Sequence, residues 1–313
     1  MSKIVVFGGD GFIGRHLTSR LASVETNQIV VFDRFSSYQI GENNFFSSHK
    51  NIDIVAGNFF NRAEVNQVLS QADIVFHLVS TTNPATSVND PLIDVDTNIR
   101  SSIELFELCV ENRVGKIIFL SSGGTVYGQT DSEKIDEETL TQPISPYAIG
   151  KLTIEHYLRY FKHHYGLDYL VYRVANPYGP GQNLHGKQGV IPIFLNLAFD
   201  KEPITIFGDG NMVRDYLYIT DLVDMIVSSY NKNNRYDEYN IGSGRGVTVN
   251  ELVEIIEKKA GYSLDKKTVD IPDTYVEKIV LDTTRFVSEF KLKPTISLKE
   301  GISKTWDYVR EKD

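Results

Sequence analysis

The 313-residue chain carries 32 basic and 41 acidic side chains, a formal net charge of −9, with 41% apolar and 23% charged residues. This is the balance of a folded protein with ample length for a buried core, which sets aside disorder, collagen-like repeats and coiled coil. The acidic surplus disfavours nucleic-acid and anionic-membrane partners, and the single Cys109 leaves no disulfide framework or multi-cysteine metal site.

Six short apolar runs come first in chain order: Ile4–Phe7, Ile29–Phe32, Ile52–Val55, Ile74–Val79, Ile117–Leu120 and Tyr169–Val174. Each carries Val, Ile or Phe on both alternating positions, which suits strands buried on both faces of a parallel sheet. The longest of them is far short of the roughly 20 residues of a membrane span. Ile4–Phe7 leads straight into a glycine turn, without the apolar stretch and cleavage site of a signal peptide, so a cytoplasmic protein is expected. Between the runs lie helical spacings, such as the stripe Ile103, Phe106 and Val110. Cys109 falls in an apolar stripe and is expected in the core. Strands separated by crossovers predict an α/β fold built on a Rossmann-type, doubly wound parallel sheet. After Val174 the rhythm breaks: Pro177, Gly179, Pro180, Gly181 and Gly186 mark an irregular stretch. Two helices follow with capping boxes, Thr248 with Glu251 and Ser297 with Glu300. This later half is expected to form a smaller C-terminal domain closing over the sheet's carboxyl edge.

The first run enters Gly8-Gly9-Asp10-Gly11-Phe12-Ile13-Gly14 and then a helical pattern. Glycines at 8, 11 and 14 permit a tight turn, close backbone approach to a pyrophosphate and close helix–sheet packing. The helix start then turns free N–H groups towards the phosphates. Asp33 ends the second run, where a carboxylate accepts hydrogen bonds from both ribose hydroxyls and repels a 2′-phosphate, favouring NAD over NADP. Arg34 beside it is placed to stack on adenine or to soften that discrimination.

The fifth run leads through Ser121, Ser122, Gly123, Gly124 and Thr125 to Val126-Tyr127-Gly128. Hydroxyls at a strand's carboxyl end face the crevice where ligands bind in open α/β sheets, here towards a reacting oxygen. Tyr147 and Lys151 then stand at i and i+4, on one face of a helix. A phenol titrates near about 10, but an adjacent ammonium and a cationic nicotinamide favour the phenolate. Tyr147 would then remove a proton from a substrate hydroxyl while hydride leaves the same carbon, and Lys151 would also bind the nicotinamide ribose. His163 and His164 lie in a polar helix end, and no Asp, Glu and His cluster has metal spacing, so no metal is expected.

The glycine loop, Asp33, SSGGTVYG from Ser121, the Tyr147/Lys151 pair, RVANPYGPGQ from Arg173 and FGDGNMVRDYLYITD from Phe207 together resemble the extended short-chain dehydrogenase/reductase superfamily. The likeness is to its NAD-dependent epimerase/dehydratase branch, and within it most to UDP-glucose 4-epimerases. It implies NAD that withdraws hydride from sugar C4 and returns it to the opposite face of the 4-keto sugar, with Tyr147 as base and then acid. It also implies an NAD domain at 1–174 with a returning segment about 214–242, a nucleotide-sugar domain at 175–213 and 243–313, and a homodimer joined through helices around Asp94–Glu111 and Tyr147–Tyr165. Carried over by position, Phe12 and Ile13 lie over the pyrophosphate and Asn58 and Phe59 near adenine, while Leu78, Val79, Asn98 and Ser121 line the cofactor site. Asn176, Val190, Phe207 and Arg214 fall to the substrate, Phe207 at uracil and Arg214 at the diphosphate.

Three positions depart from the family pattern. Its usual Ser/Thr falls on Gly123, so the hydroxyl must come from Ser122, which is preferred, or from Thr125. A second diphosphate arginine falls on Pro272, with Lys278 as the substitute. Ile279 occupies the place that gates room for an N-acetyl group, leaving both hexose and N-acetylhexosamine open. The runner-up activity is reduction of an NDP-4-keto-6-deoxysugar. A 4,6-dehydratase is disfavoured because Gly123-Gly124 offers no Asp-Glu pair, and intact Tyr147 and Lys151 count against a non-catalytic NAD sensor.

Overall fold

The computed structural model describes residues 2–35, 46, 49–186, 189–271 and 275–311. Its first half alternates strand and helix: β1 Ser2–Phe7, α1 Phe12–Ala22, β2 Asn27–Asp33, β3 Ile52–Ala56, α2 Arg62–Leu69, β4 Ile74–His77, α3 Arg100–Glu111, β5 Lys116–Ser122, α4 Pro146–Tyr165 and β6 Asp168–Val174. The later chain adds β7 Asn176–Tyr178, α5 Val190–Phe199, β8 Ile204–Phe207, β9 Val213–Tyr218, α6 Ile219–Ser229, β10 Glu238–Ile241, β11 Gly246–Thr248, α7 Val249–Ala260, β12 Lys266–Val269, β13 Lys278–Ile279, α8 Thr284–Phe290 and α9 Leu298–Glu311.

All six expected strands are present, and β10 joins them in a seven-stranded sheet of order β10-β6-β5-β4-β1-β2-β3. β1 pairs in parallel with β2 and β4, β2 with β3, and β4 with β5. The fold is the expected Rossmann-type α/β sheet. Strand order reverses at β1, with β2 and β3 to one side and β4 onwards to the other. The segments leaving β1 and β4 therefore part, opening a crevice at their carboxyl ends.

Burial follows position in the sheet. Ile4 to Phe7 and all of β4 are buried on both faces, as interior parallel strands require. β3 is the exception to the sequence expectation, because Ile54 is 44% exposed. It is one of the two edge strands and pairs only with β2. The fourth run also ends early: β4 stops at His77, and Leu78 and Val79 continue out of the ladder against the glycine turn.

Two compact units are distinguished. One comprises Met1–Ser121, Ser145–Tyr172 and Ile226–Glu238, and the other Ser122–Ile144, Arg173–Met225 and Tyr239–Asp313. In the first, α3 and α4 pack Leu105, Phe106, Cys109, Leu158 and Phe161 against Val5, Phe7, Ile117 and Phe119. Cys109 is fully buried, which pushes its thiol pKa up and suits packing rather than reactivity. His163 and His164 are exposed at the end of α4.

In the second unit β9 pairs with β7, β11 and β13, and β8 pairs with β12. Segment Ser122–Ile144 groups here because Ile135 bridges to Leu281 and Glu137 accepts from the Asn240 N–H. Asp215, wholly buried on β9, accepts from Ser243 N at 2.8 Å, Ser243 Oγ at 2.6 Å and Gly244 N at 3.1 Å. Burial raises its pKa while those donors oppose the rise, so the carboxylate is a structural tie rather than a free acid.

Both expected pairs sit at helix starts, the first as a complete capping box and the second as its serine half. Thr248 Oγ1 accepts from Glu251 N at 3.1 Å and Glu251 Oε2 accepts from Thr248 N at 2.8 Å. At α9, Ser297 Oγ accepts from Glu300 N at 3.3 Å. Thr248→Ala should lower the unfolding free energy by about 1 kcal/mol. Urea denaturation will check this, and an unchanged midpoint would show that the cap contributes nothing.

Candidate active site

In the first unit, β1 delivers Gly8 with φ +81°, and a Cβ there would stand 3.0 Å from the backbone of Leu78 and Val79. A Cβ on Gly14 would come within 2.3 Å of Gly8 O, so α1 packs directly on the turn. Gly11 is the N-cap of α1, with no side-chain cap and no acid in the first turn. The N–H groups that open the helix, at Phe12, Ile13 and Gly14, thus meet no competing side-chain acceptor, which suits an anion.

Asp33 is aimed by two backbone donors: its Oδ2 accepts from Asp10 N at 3.0 Å and its Oδ1 from Arg34 N at 2.7 Å. Asp10 is itself tied to Arg15 at 2.8 Å. An open cleft of about 610 Å³ runs from Gly8 and Gly11 past Asp33 and Arg34 to Asn58 and Phe59, with Leu78, Val79, Ser80 and Thr81 along its other wall. Asn58 Oδ1 accepts from Phe60 N at 3.1 Å, holding the cleft's lip. Phe59 stacks on His77 with ring centroids 5.3 Å apart. A glycine cradle with no room for side chains, an uncapped helix start and a fixed carboxylate fit a dinucleotide.

Two expected cofactor residues have side chains used within the protein. Asn98 Nδ2 donates to Asp94 Oδ1 at 2.7 Å and Thr82 Oγ1 at 3.0 Å. Its Oδ1 accepts from Thr81 N at 3.0 Å and Thr81 Oγ1 at 3.1 Å, so its capacity is filled and it braces the cleft wall. The buried Ser121 hydroxyl donates to Glu155 Oε1. Ser121 is therefore turned inward, and alternation along β5 puts Ser122 on the other face.

Ser145 caps α4, accepting from Ala148 N at 3.3 Å, and Pro146 opens its first turn. Tyr147 follows, half-buried, with its N–H donating to Ser87 Oγ at 3.2 Å. One turn on, Lys151 is 7% exposed, donates from Nζ to Leu120 O at 3.0 Å and lies 5.8 Å from the Tyr147 ring centroid. Burial lowers its pKa to about 8, opposed by the charges of Asp94 and Glu155. The buried His77 is pushed down to about 3, first by burial and then by Lys151, and so stays neutral.

The second unit holds the other expected residues. Gly124 lies between Ser122 and Asn176: a Cβ on it would be 3.9 Å from Ser122 Oγ and 3.7 Å from Asn176 Oδ1. Asn176 Nδ2 donates to Asp215 O at 3.0 Å. Thr125 Oγ1 is buried without a hydrogen-bond partner. Gly123 has no room for a side chain, because a Cβ would meet Leu281 Cδ1 at 2.6 Å and Arg173 O at 2.9 Å. Val190 is the first residue of α5, and Phe207 packs on Tyr275 with centroids 5.3 Å apart.

Arg214 is half-buried on β9, where Nη1 donates to Val213 O at 2.9 Å. Its surface ion-pair alternatives are absent, since Asp209 holds Asn211 and Asp215 holds Ser243. Among the described residues no carboxylate pairs with Arg214. Lys278 and Ile279 stand in register beside Val213 and Arg214, with Ile279 fully buried. Pro272 lies outside the described residues.

Residues 4–242 match the model of the NAD dependent epimerase/dehydratase family. The chain belongs to that family. Its cofactor is NAD. The chain is 32% identical over 309 residues to a putative UDP-glucose 4-epimerase of Methanocaldococcus jannaschii, covering 98% of each. It is 35% identical over 317 residues to a dTDP-4-dehydro-6-deoxyglucose reductase of Escherichia coli, covering 98% of this chain and 97% of the relative. The crystal structure of UDP-glucose 4-epimerase from Thermotoga maritima with UDP-glucose superposes with a TM-score of 0.91 at 35% identity, covering 99% of each chain.

Asp94, Glu155 and His77 had escaped the sequence reading. Glu155 had a signal, because Tyr147, Lys151 and Glu155 are spaced by four along one helix face. Asp94 had none, since its position depends on a π-helical turn, Asp94–Ile99, that hydrophobic spacing does not announce.

The crowding at Gly123 is directly testable. Gly123→Ser, which would restore the family's usual hydroxyl, should destabilise this epimerase/dehydratase by about 1–3 kcal/mol through overpacking. A thermal melt that matches the parent would show that Leu281 and Arg173 yield at no cost.

Proposed function

We propose that this member of the family is a nucleotide-sugar 4-epimerase acting on a UDP-hexose or its N-acetyl counterpart. The observation that carries the reading is the buried Lys151 ammonium 5.8 Å from the Tyr147 ring centroid, since a nearby positive charge favours the phenolate over the phenol. NAD, when bound, supplies the acceptor for the C4 hydride and its source on return.

The protein's own residues handle the proton. Tyr147 phenolate takes it from the C4 hydroxyl as hydride leaves C4, and gives it back as hydride returns to the other face of the 4-keto sugar. No net oxidation results. Lys151 and Ser121 are assigned to the nicotinamide side, Lys151 through its ammonium and Ser121 through its backbone, since its hydroxyl is engaged by Glu155. Ser122 is assigned to the reacting oxygen, with Thr125 the alternative because its buried hydroxyl has no partner. Phe12, Ile13, Asn58, Phe59, Leu78 and Val79 go to the dinucleotide. Asn176, Val190 and Phe207 go to the nucleotide-sugar, and Arg214 goes to its diphosphate. A half-buried guanidinium that pairs with no carboxylate among the described residues supports that last role, because a forked donor set matches phosphate oxygens.

The reading extends to a cytoplasmic homodimer in carbohydrate metabolism. Ile149, Tyr157 and Tyr160 are exposed on α4, and Leu92 and Val95 lie exposed beside α3, apolar surface that a second copy would cover. NAD and nucleotide-sugars are charged diphosphates that do not cross membranes unaided, which supports the compartment. The E. coli relative favours a second reading, a single reduction of an NDP-4-keto-6-deoxysugar with exchangeable cofactor.

Denaturing the purified protein should release NAD, and native enzyme should interconvert UDP-glucose with UDP-galactose or the N-acetyl pair. Stoichiometric NAD(P)H oxidation by the keto-sugar, without either interconversion, would establish the reductase instead. Tyr147→Phe should keep NAD while turnover falls by about 10²–10⁴-fold; full activity would refute its role as base. Arg214→Gln should raise KM about tenfold or more through a lost charge-assisted contact. Steady-state kinetics with the same UDP-sugar will check this, and a parental KM would remove Arg214 from the diphosphate.

A further inference from the structure

The junction beneath Tyr147 contains a charge that the proton transfer does not itself use. Asp94 is 2% exposed at the start of the π-helical turn. Its Oδ1 accepts from Thr82 Oγ1 at 2.7 Å and Asn98 Nδ2 at 2.7 Å, while its Oδ2 is buried with no hydrogen-bond partner. A Cβ on Gly150 would lie 3.4 Å from Asp94 Oδ1, so this carboxylate rests against α4 one residue before Lys151. A buried carboxylate oxygen without a donor is costly unless a cation faces it. π-Turns of this kind recur at functional sites.

Four titratable groups face the Lys151 ammonium: Asp94 from the π-turn, Tyr147 and Glu155 from its own helix, and His77 from β4. His77 is neutral, and Glu155 is engaged by the Ser121 hydroxyl. The charges of Asp94 and Glu155 both oppose the loss of the Lys151 proton, and of the two only Asp94 keeps a buried oxygen without a donor, set against α4 at Gly150. Burial alone drives the ammonium towards losing its proton. We propose that Asp94 is a positioning residue for the Tyr147–Lys151 pair, its buried carboxylate supplying the fixed negative charge that keeps the proton on Lys151 Nζ and leaves Tyr147 as the phenolate.

The proposal rests on the reading of Tyr147 as the base. A single proton shared by the two groups sits on nitrogen or on oxygen. Negative charge held against the amine favours nitrogen, and removing it returns the proton to the phenol. The loss appears in kcat, because Asp94 is not assigned to the substrate.

The test compares wild type with Asp94→Asn and Asp94→Glu as NAD-loaded protein. The Lys151 titration is followed by the ¹³Cε resonance of labelled lysine, assigned by its loss in Lys151→Met. Asp94→Asn should move that titration down by about one pH unit. It should retain NAD, keep KM within about threefold and lose about tenfold or more in kcat across the pH profile. Asp94→Glu, which restores the charge, should recover most of both. A Lys151 titration and kcat unchanged in folded Asp94→Asn would overturn the proposal. If the Asn variant does not fold, Asp94→Ser against Asp94→Glu makes the same comparison, and equal Lys151 titrations in the two overturn it. Inactivity of wild type towards UDP-sugars would instead sink the epimerase reading, with the lysine titration still deciding the role of Asp94.

Discussion

An ammonium sealed between a strand and a helix is the constraint around which the first unit is arranged. Lys151 gives up hydration and keeps one short contact, to Leu120 O at the end of β5. Everything nearby limits the consequence of that burial. Ser145 and Pro146 start α4 so that Tyr147 and Lys151 stand one turn apart. Ser121 turns inward to Glu155, and Asn98 and Thr82 clamp Asp94. Asn98 also holds the Thr81 backbone, so the polar network under the lysine and the wall of the cofactor cleft share one residue.

Net charge misleads about ligands here. At −9 the chain repels extended polyanions on average, yet NAD and the proposed nucleotide-sugar are both anionic. The discrepancy is resolved locally. An uncapped helix start with no acid in its first turn suits one diphosphate. The half-buried Arg214 guanidinium, whose neighbouring aspartates are occupied elsewhere, is proposed for the other.

Much of the site was legible because it lies on short contiguous motifs. The turn needs glycines where backbone crosses backbone: a Cβ on Gly14 would stand 2.3 Å from the Gly8 carbonyl oxygen, a clash that any side chain would incur. Asp33 ends its strand by sequence, and Tyr147 and Lys151 share a face by helical spacing. Side-chain direction is not legible in the chain. Ser121 and Ser122 look equivalent there, but the pleat sends one hydroxyl inward. Asn98 spends its four side-chain hydrogen bonds on Asp94, Thr82 and Thr81, and Thr81 lines the cleft. The edge position of β3 exposes Ile54 although its run is as apolar as its neighbours.

By itself, the sequence determined the elements, the parallel sheet and the cofactor class, because periodicity, glycine spacing and a strand-end acid are local properties. Only the tertiary structure decided which polar groups would be consumed by one another. Asp94 and Lys151 are 57 positions apart, and a π-helical turn and a glycine at 150 let the Asp94 carboxylate rest against α4 next to Lys151 in the chain. Gly123 likewise reads as a missing hydroxyl, until Leu281 and Arg173 are seen to occupy the space a side chain there would need.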